Sequence, residues 1–563
     1  MLRLVFSLAA ALLALGGCVT PAAVAPPAPG MVSAADPRAA AAGAEMLRAG
    51  GSAADAALAT LLAINVVEPQ SSGIGGGGFL VYEDGSGIPK SYDGRETAPA
   101  AAHGDWFIVD GRPLTLDEAI PGGRSVGVPG NVRLMALAHR AHGRLPWRKL
   151  FEPAIRLARN GFAITPRLHS ALNRFRSIGA MSDEARDLFY APDRSALPVG
   201  TMIRNPAFAD LLERLAERGP DSFYVGPNAE AIVRTVNTAE RNPSQMTLED
   251  IAAYQAKQRT PVCGDYRRHR VCGMGPPSSG GIAVLQILEQ LERFDLAGLG
   301  PRSSTSWHLL AESMRLAFAD RDTYLADQDF VPVPIAGLID PGYLAQRSML
   351  IAPDRTLETV SAGNPAGAPR LSAALELAES GTTHFVAVDK WGAVASQTST
   401  IEGPFGPGLM TSGYYLNNEL TDFNMIEAVN GKPVANRVQG GKRPRSSTSP
   451  TIVYGPDGRV RLAIGAAGGA TIIAQVAKSI IAIIDWKLSA QEAIALPVLF
   501  APGDTVFIER GTYLEGMIPA LRALGHAKVQ PREPGFKANA IEWSGGRWVG
   551  AADPRSEGAA VSE

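Results

Sequence analysis

Cysteine is scarce in this chain, with three residues in 563, at positions 18, 263 and 272. That is too few for a fold held mainly by disulfides. Histidine is rare as well: the eight residues are scattered and show no ligand spacing with Cys, Asp or Glu, so no metal is expected. Neither sign of charge dominates. A net charge of −2 gives no reason to expect nucleic acid as a partner. The N-terminal apolar run, Leu4 to Leu15, is too short to span a bilayer. The chain has no G-x-S-x-G elbow and no G-x-x-x-x-G-K-[ST] loop, which removes the common serine-hydrolase and P-loop readings. A G-x-G-x-x-G does occur from Gly73 to Gly78, but a helical pattern precedes it and a strand, Phe79 to Tyr82, follows. Dinucleotide binding needs the reverse order, so no nucleotide cofactor is implied.

What is present describes a layered α/β enzyme. Hydrophobic residues make up 46% and charged residues 19%, and 60 glycines with 42 prolines imply many tight turns. The length exceeds what one growing core supports, so two lobes or one composite domain is expected. Residues 37 to 69 read as two Ala-rich helices broken at Gly50-Gly51. Residues 303 to 327 read as an amphipathic helix whose Arg315, Asp320 and Arg321 form a structural ion-pair network. After residue 382 strands dominate, with a helix at about 471 to 485.

The first residues read as a processing signal. Arg3 precedes the apolar run, and "LGGC", Leu15 to Cys18, resembles the bacterial lipobox. The expected layout is a lipoprotein signal peptide at 1–17 and a flexible linker at 18–33, lipid-anchored through Cys18. The anchor would be the protein's one attachment to the membrane, on the periplasmic side of the bacterial envelope. Cys263 and Cys272 flank "GDYRRHRV", a short hairpin with Arg267 and Arg268 at its tip. The two cysteines would lie opposite each other, as a disulfide or as two reduced strand residues.

The stretch "SGTTHFVAVDK", 380 to 390, poses the chemical question. A threonine hydroxyl is a poor nucleophile without a base beside it. If the chain breaks between Gly381 and Thr382, the new α-amine becomes that base, with a pKa of about 7.7–8.0. Thr382 Oγ would attack the Gly381 carbonyl in an acyl shift, and water would then release the two pieces. Sequence alone leaves this as one reading of a Gly-Thr pair.

Ordered blocks then narrow the choice. "DGRETAP", "PPSSGG", "GTTHFVAVDKWGAV", "GYYLNNELTDF", "GKRPRSSTSPTIV", "GAAGGA" and "DPRS" follow one another as in the γ-glutamyltransferases, as does "GGSAADAALATLLAINVVEPQSSGIGGGGF" near the start. The chain resembles that family over residues 33 to 556. The resemblance implies an α/β N-terminal-nucleophile hydrolase fold, a four-layer αββα sandwich formed by a heterodimer of the chain's own cleaved parts. These are a large subunit, 34–381, and a small catalytic subunit, 382–563. It implies Thr382 as nucleophile, Thr400 as its orienting partner, and Gly468 and Gly469 as oxyanion donors. Arg95, Ser446 and Ser447 would meet the donor's α-carboxylate, and Glu419 and Asp422 its α-ammonium. The substrates implied are glutathione and other γ-glutamyl amides, with water, amino acids or peptides as acceptors.

The chain departs from the family pattern at three points. Glu402 stands where an asparagine is usual, which would bring a third carboxyl group toward the ammonium position. Ala466-Ala467 replaces Ser-Pro ahead of the glycine pair. The segment between Asp422 and Ser446 has no tyrosine, which puts a lid over the pocket in doubt. A cephalosporin-type glutaryl acylase of the same fold is the alternative enzyme. A non-catalytic envelope-binding lipoprotein is the alternative of a different class.

Overall fold

The structure, a computed structural model, describes residues 28–374 and 381–563; the signal peptide, Cys18 and most of the linker lie outside the described residues. Helix α1, Pro37–Arg48, starts where Asp36 accepts from the Arg38 N–H and Pro37 presets the first turn. It ends at the expected glycine break, and helix α2, Ala53–Val67, restarts on a Ser52–Asp55 capping box. Alanine allows these helices to pack closely, and α2 is buried on every face.

The strands, in chain order, are β1 Met31–Ala34, β2 Gly77–Glu83, β3 Lys90–Asp93, β4 Lys257–Arg259, β5 Val262–Tyr266 and β6 His269–Gly273. They continue with β7 Thr383–Val388, β8 Val394–Thr400, β9 Thr451–Tyr454 and β10 Val460–Ala467. The last three are β11 Lys537–Ser544, β12 Arg547–Ala552 and β13 Ala559–Ser562. One sheet has the order β13-β1-β7-β8-β2-β3-β4 and the other β12-β11-β10-β9-β6-β5. The two sheets face each other across an apolar layer that includes Phe79, Val81, Val386, Cys272, Ile452 and Ile541.

Helices α1 and α2 cover the outer face of the first sheet. Helices α3, Gly280–Gln290, α4, Ser304–Tyr324, and α5, Thr471–Ile484, build the core outside the second. This is the expected αββα sandwich. Among the described residues no helix is long and apolar enough to cross a membrane. The two-residue turn at Arg267-Arg268 pairs Cys263 directly with Cys272, and the two form a disulfide.

Three expectations need correction. The linker does not run to residue 33, because β1 is an interior strand between β7 and β13. Its Ser33 hydroxyl donates to the Ala551 carbonyl at 2.7 Å. Helix α4 is not amphipathic: from Ser306 to Tyr324 every residue except Ala319 is buried, because the helix sits inside the core. Finally, Arg315, Asp320 and Arg321 do not form one network, since they point in different directions around α4. Arg315 pairs with Glu312 and Asp504, and Asp320 with Arg347. Arg321 instead turns toward Ser279, Asp322 and Ser447.

Candidate active site

Strand β7 pairs with β8 so that Thr383 faces Ser399, which brings the preceding Thr382 opposite Thr400. The Thr382 hydroxyl donates to Thr400 Oγ1 at 3.0 Å, and the Glu402 N–H donates to the same oxygen at 2.7 Å. Thr400 is thus fixed from two sides, and Thr382 is held against it. The rejected glycine motif has a packing role here. A side chain at Gly76 would meet the Thr400 carbonyl oxygen at 2.0 Å, so only glycine lets β2 start this close to the nucleophile.

The backbone at the Gly381–Thr382 junction is tight. A Cβ on Gly381 would lie 1.6 Å from the Glu402 carbonyl oxygen. Thr382 has φ 89° and Glu402 φ 72°. A β-branched residue in that region is strained, by about 1–3 kcal/mol. The Thr382 N–H donates to the Ser71 carbonyl at 3.0 Å.

Strand β10 of the facing sheet ends at Ala467, directly before Gly468, Gly469 and the start of α5. Both glycines have positive φ, 127° and 57°. Among the described residues neither of their N–H groups has a hydrogen-bond acceptor. Two free N–H groups at a helix N-terminus can receive a developing oxyanion. Ala466-Ala467 pairs with Ala538 and Lys537 in ordinary strand register, so the departure from Ser-Pro leaves this geometry in place.

Thr382, Thr400 and Gly469 share one small cavity, about 10 Å³, with Arg95, Glu402, Asp422, Ser446 and Ser447. That is room for about one water. Carboxylate oxygens of Glu402, Glu419 and Asp422 all lie within 4.8 Å of one another, and all three residues are buried. Arg95, also buried, lies among them: its guanidinium donates to Glu419 and to Asp422. It also donates to the carbonyls of Pro444 at 3.1 Å and Arg445 at 3.0 Å. Arg95 therefore faces the carboxylates expected around the ammonium and does not stand free for a donor carboxylate. Burial alone would lower its pKa, but Glu419 and then Asp422 outweigh that and hold it above the ordinary value.

The serines are propped from behind. The Ser446 hydroxyl bonds Thr448 Oγ1 at 3.1 Å, and Arg321 donates to Ser447 Oγ at 2.6 Å. The "PPSSGG" block supports the same turn, with the Ser279 hydroxyl donating to the Ser446 carbonyl at 2.7 Å.

Four groups escaped the sequence reading. Arg321 is one; its place on a long helix gave no sign that it reaches Ser447. Glu96 is another, buried next to Arg95. Burial and then the Glu419 charge push its carboxyl well above the usual range. Lys537 and Glu68 are the others. The Lys537 ammonium donates to Glu68 at 2.8 Å and to Ser71 Oγ at 3.2 Å, directly behind the backbone that holds Thr382. Burial lowers its pKa to about 8, against the pull of Glu68. Glu68 lies in the quoted "VEPQSS" block, which was the available signal.

His384, next but one to Thr382, does not reach it. Its Nδ1 meets Thr398 Oγ1 at 2.9 Å, and burial lowers its pKa to about 3, so it stays neutral. Among the described residues, tertiary structure also gathers His308, Glu312 and His526, which sequence spacing did not suggest. Glu312 there already accepts from Arg315, Thr356 and the Leu357 N–H, and the two imidazoles meet at 2.8 Å. No residue between Asp422 and Ser446 lines the catalytic cavity.

A threonine at the head of an inner strand, two facing sheets and a free glycine pair on the second sheet define an N-terminal-nucleophile hydrolase. Comparison with known proteins makes the class specific. The family profile described as Gamma-glutamyltranspeptidase matches residues 39–562, and the chain belongs to that family. It is 35% identical to the "Glutathione hydrolase proenzyme" of Bacillus subtilis (strain 168) over 545 residues, 94% of this chain and 91% of that protein. It is 34% identical to the protein of the same name from Escherichia coli (strain K12), over 96% of each chain. Among solved structures it resembles the cephalosporin acylase from Bacillus halodurans, with a TM-score of 0.81 and 26% identity, covering 95% of this chain and 96% of that one.

Proposed function

We propose that this chain is a self-processing γ-glutamyl hydrolase and transferase acting on glutathione and related amides through an ester on Thr382. In processing, Thr382 Oγ attacks the Gly381 carbonyl and the C–N bond gives way to an ester. That step releases the Thr382 α-amine, and water then hydrolyses the ester to free a Gly381 carboxylate and the Thr382 hydroxyl. Strain at Thr382 favours the cut. In turnover the α-amine takes the proton from Thr382 Oγ as that oxygen attacks the γ-carbonyl. The N–H groups of Gly468 and Gly469 carry the oxyanion, and the leaving amine departs with the proton. Water, or the amino group of an amino acid or peptide, then attacks the ester and restores Thr382.

The observation that carries the donor assignment is the buried cluster of three carboxyl groups, Glu402, Glu419 and Asp422, beside Thr382. An α-ammonium is the group such a cluster attracts. The similarity to a cephalosporin acylase is what favours the second reading, a glutaryl acylase, whose donor lacks that ammonium. Purified protein tested on glutathione, with a denaturing gel of the same sample, decides the matter. Two bands and released glutamate support the proposal, whereas one uncut band with no release overturns it. The lipobox further supports placement at the periplasmic side of the envelope, anchored through Cys18.

A further inference from the structure

The two facing sheets have unlike ends. At one end β7 starts beside Thr382, β8 finishes at Thr400 and β10 runs into Gly468. The other end consists of four hairpin turns, joining β2 to β3, β7 to β8, β9 to β10 and β11 to β12. These turns wall a second cavity, about 370 Å³, whose lining includes Glu83, Trp391, Arg459, Trp543 and Trp548. Strand β7 is six residues long, which separates the turns from Thr382 by about 20 Å.

The chain also enters the fold at the turn end. Ala28 lines the same cavity, and Met31 of β1 faces Val388, the last residue of β7. Ala28 comes ten positions after Cys18, a length that reaches at most about 35 Å. A lipid on Cys18 therefore keeps this end, and not the catalytic one, next to the bilayer.

The surface there has the chemistry of an interfacial contact. Ile88 and Trp391 project from two of the turns, 68% and 47% exposed. Trp543 and Trp548 are half-buried and pack edge to face at 4.9 Å. Arg144 lies over the Trp391 ring at 3.9 Å and Lys390 at 5.0 Å, while Arg459 and Arg547 are exposed on the neighbouring turns. The acidic groups of these turns are fewer or already engaged. Glu83 and Asp389 are buried and accept from backbone N–H groups, and Asp84 pairs with Lys90 at 2.9 Å. That leaves Asp457, which accepts from the Arg459 backbone N–H at 3.1 Å. Exposed tryptophan and isoleucine beside lysine and arginine suit a headgroup layer, where amphipathic rings sit at the boundary and cations meet phosphate.

We propose that these four turns form a membrane-docking face, seated on the anionic phospholipid surface that carries the Cys18 anchor, so that Thr382 points away from the bilayer. The inference rests on the lipobox reading, and its test separates the two.

Cells expressing the full chain are fractionated, and the purified lipidated protein is placed in vesicles of phosphatidylglycerol and phosphatidylcholine whose acyl chains carry bromine near the headgroups. Tryptophan emission of the wild type should be quenched, and Trp391→Phe should lose a large part of that quenching. The double variant K390Q/R459Q should weaken it in the mixed vesicles and leave it unchanged in phosphatidylcholine alone. Glutathione turnover should be the same in all three proteins, because the turns lie at the far end of β7 from Thr382. Membrane-bound protein whose emission stays unquenched, or whose quenching neither variant reduces, overturns the docking face and leaves the anchor standing. A wild-type chain found in the soluble fraction refutes the anchor reading, and the docking face falls with it.

Discussion

Replacing a γ-glutamyl donor by a glutaryl donor removes one α-ammonium and little else, so it probes the carboxylate cluster directly. Arg95 donates to Glu419 and Asp422, and Glu402 lies beside them in the same cluster. A γ-glutamyl group brings one charge of each sign and adds no net charge to the cluster. A glutaryl group brings only its carboxylate and adds a negative charge beside three carboxyl groups. Glu419 is fully buried and the other two are 7% exposed, so water screens the difference weakly.

Losing a buried charged partner of this kind costs about 2–5 kcal/mol, roughly thirtyfold to several-thousandfold at about 1.4 kcal/mol per decade. The expected result is a kcat/KM at least about a hundredfold higher for a γ-glutamyl anilide than for the matched glutaryl anilide. Asp422→Asn should shrink that ratio from both ends. It removes a partner of the ammonium, and it releases an Arg95 N–H that then favours the glutaryl carboxylate. Glu402→Gln should do less, because Glu419 and Asp422 act on Arg95 more strongly than Glu402 does. Equal rates on the two anilides would refute the charge argument and move the enzyme to the acylases.

Thr382→Ala should give one uncut chain on a denaturing gel and Thr382→Ser slower cutting, while Gly381→Ala should cut poorly because its Cβ meets the Glu402 carbonyl; two bands from Thr382→Ala would refute self-cleavage. Cys18→Ala should move the protein from the membrane to the soluble fraction, and continued membrane association would disprove the lipobox reading. Since no residue between Asp422 and Ser446 lines the cavity, γ-glutamyl amides bulkier than glutathione should be cut with comparable kcat/KM; a strong preference for the smallest ones would count against an open pocket.

The sequence by itself supplied the ordered blocks, and the resemblance they carry implied the fold and pointed to Thr382 and the carboxylates; the Gly-Thr junction and the strand after it were legible because they are local features. It also placed Cys263 opposite Cys272, since a two-residue hairpin turn leaves one register, while the disulfide between them came from the structure. Other features were decided only when distant segments met. Met31–Ala34 looked like linker because a short strand is recognisable only once its neighbours, β7 and β13, flank it. Helix α4 looked amphipathic because sequence cannot show that both sides of a helix are covered. Arg321 reaches Ser447 across 126 positions, and Lys537 reaches Glu68 across 469, distances over which no spacing rule operates. The pairing of Arg95 with Glu419 and Asp422 was equally invisible, because a side chain's charge can be read from its letter but its partner is set by tertiary packing.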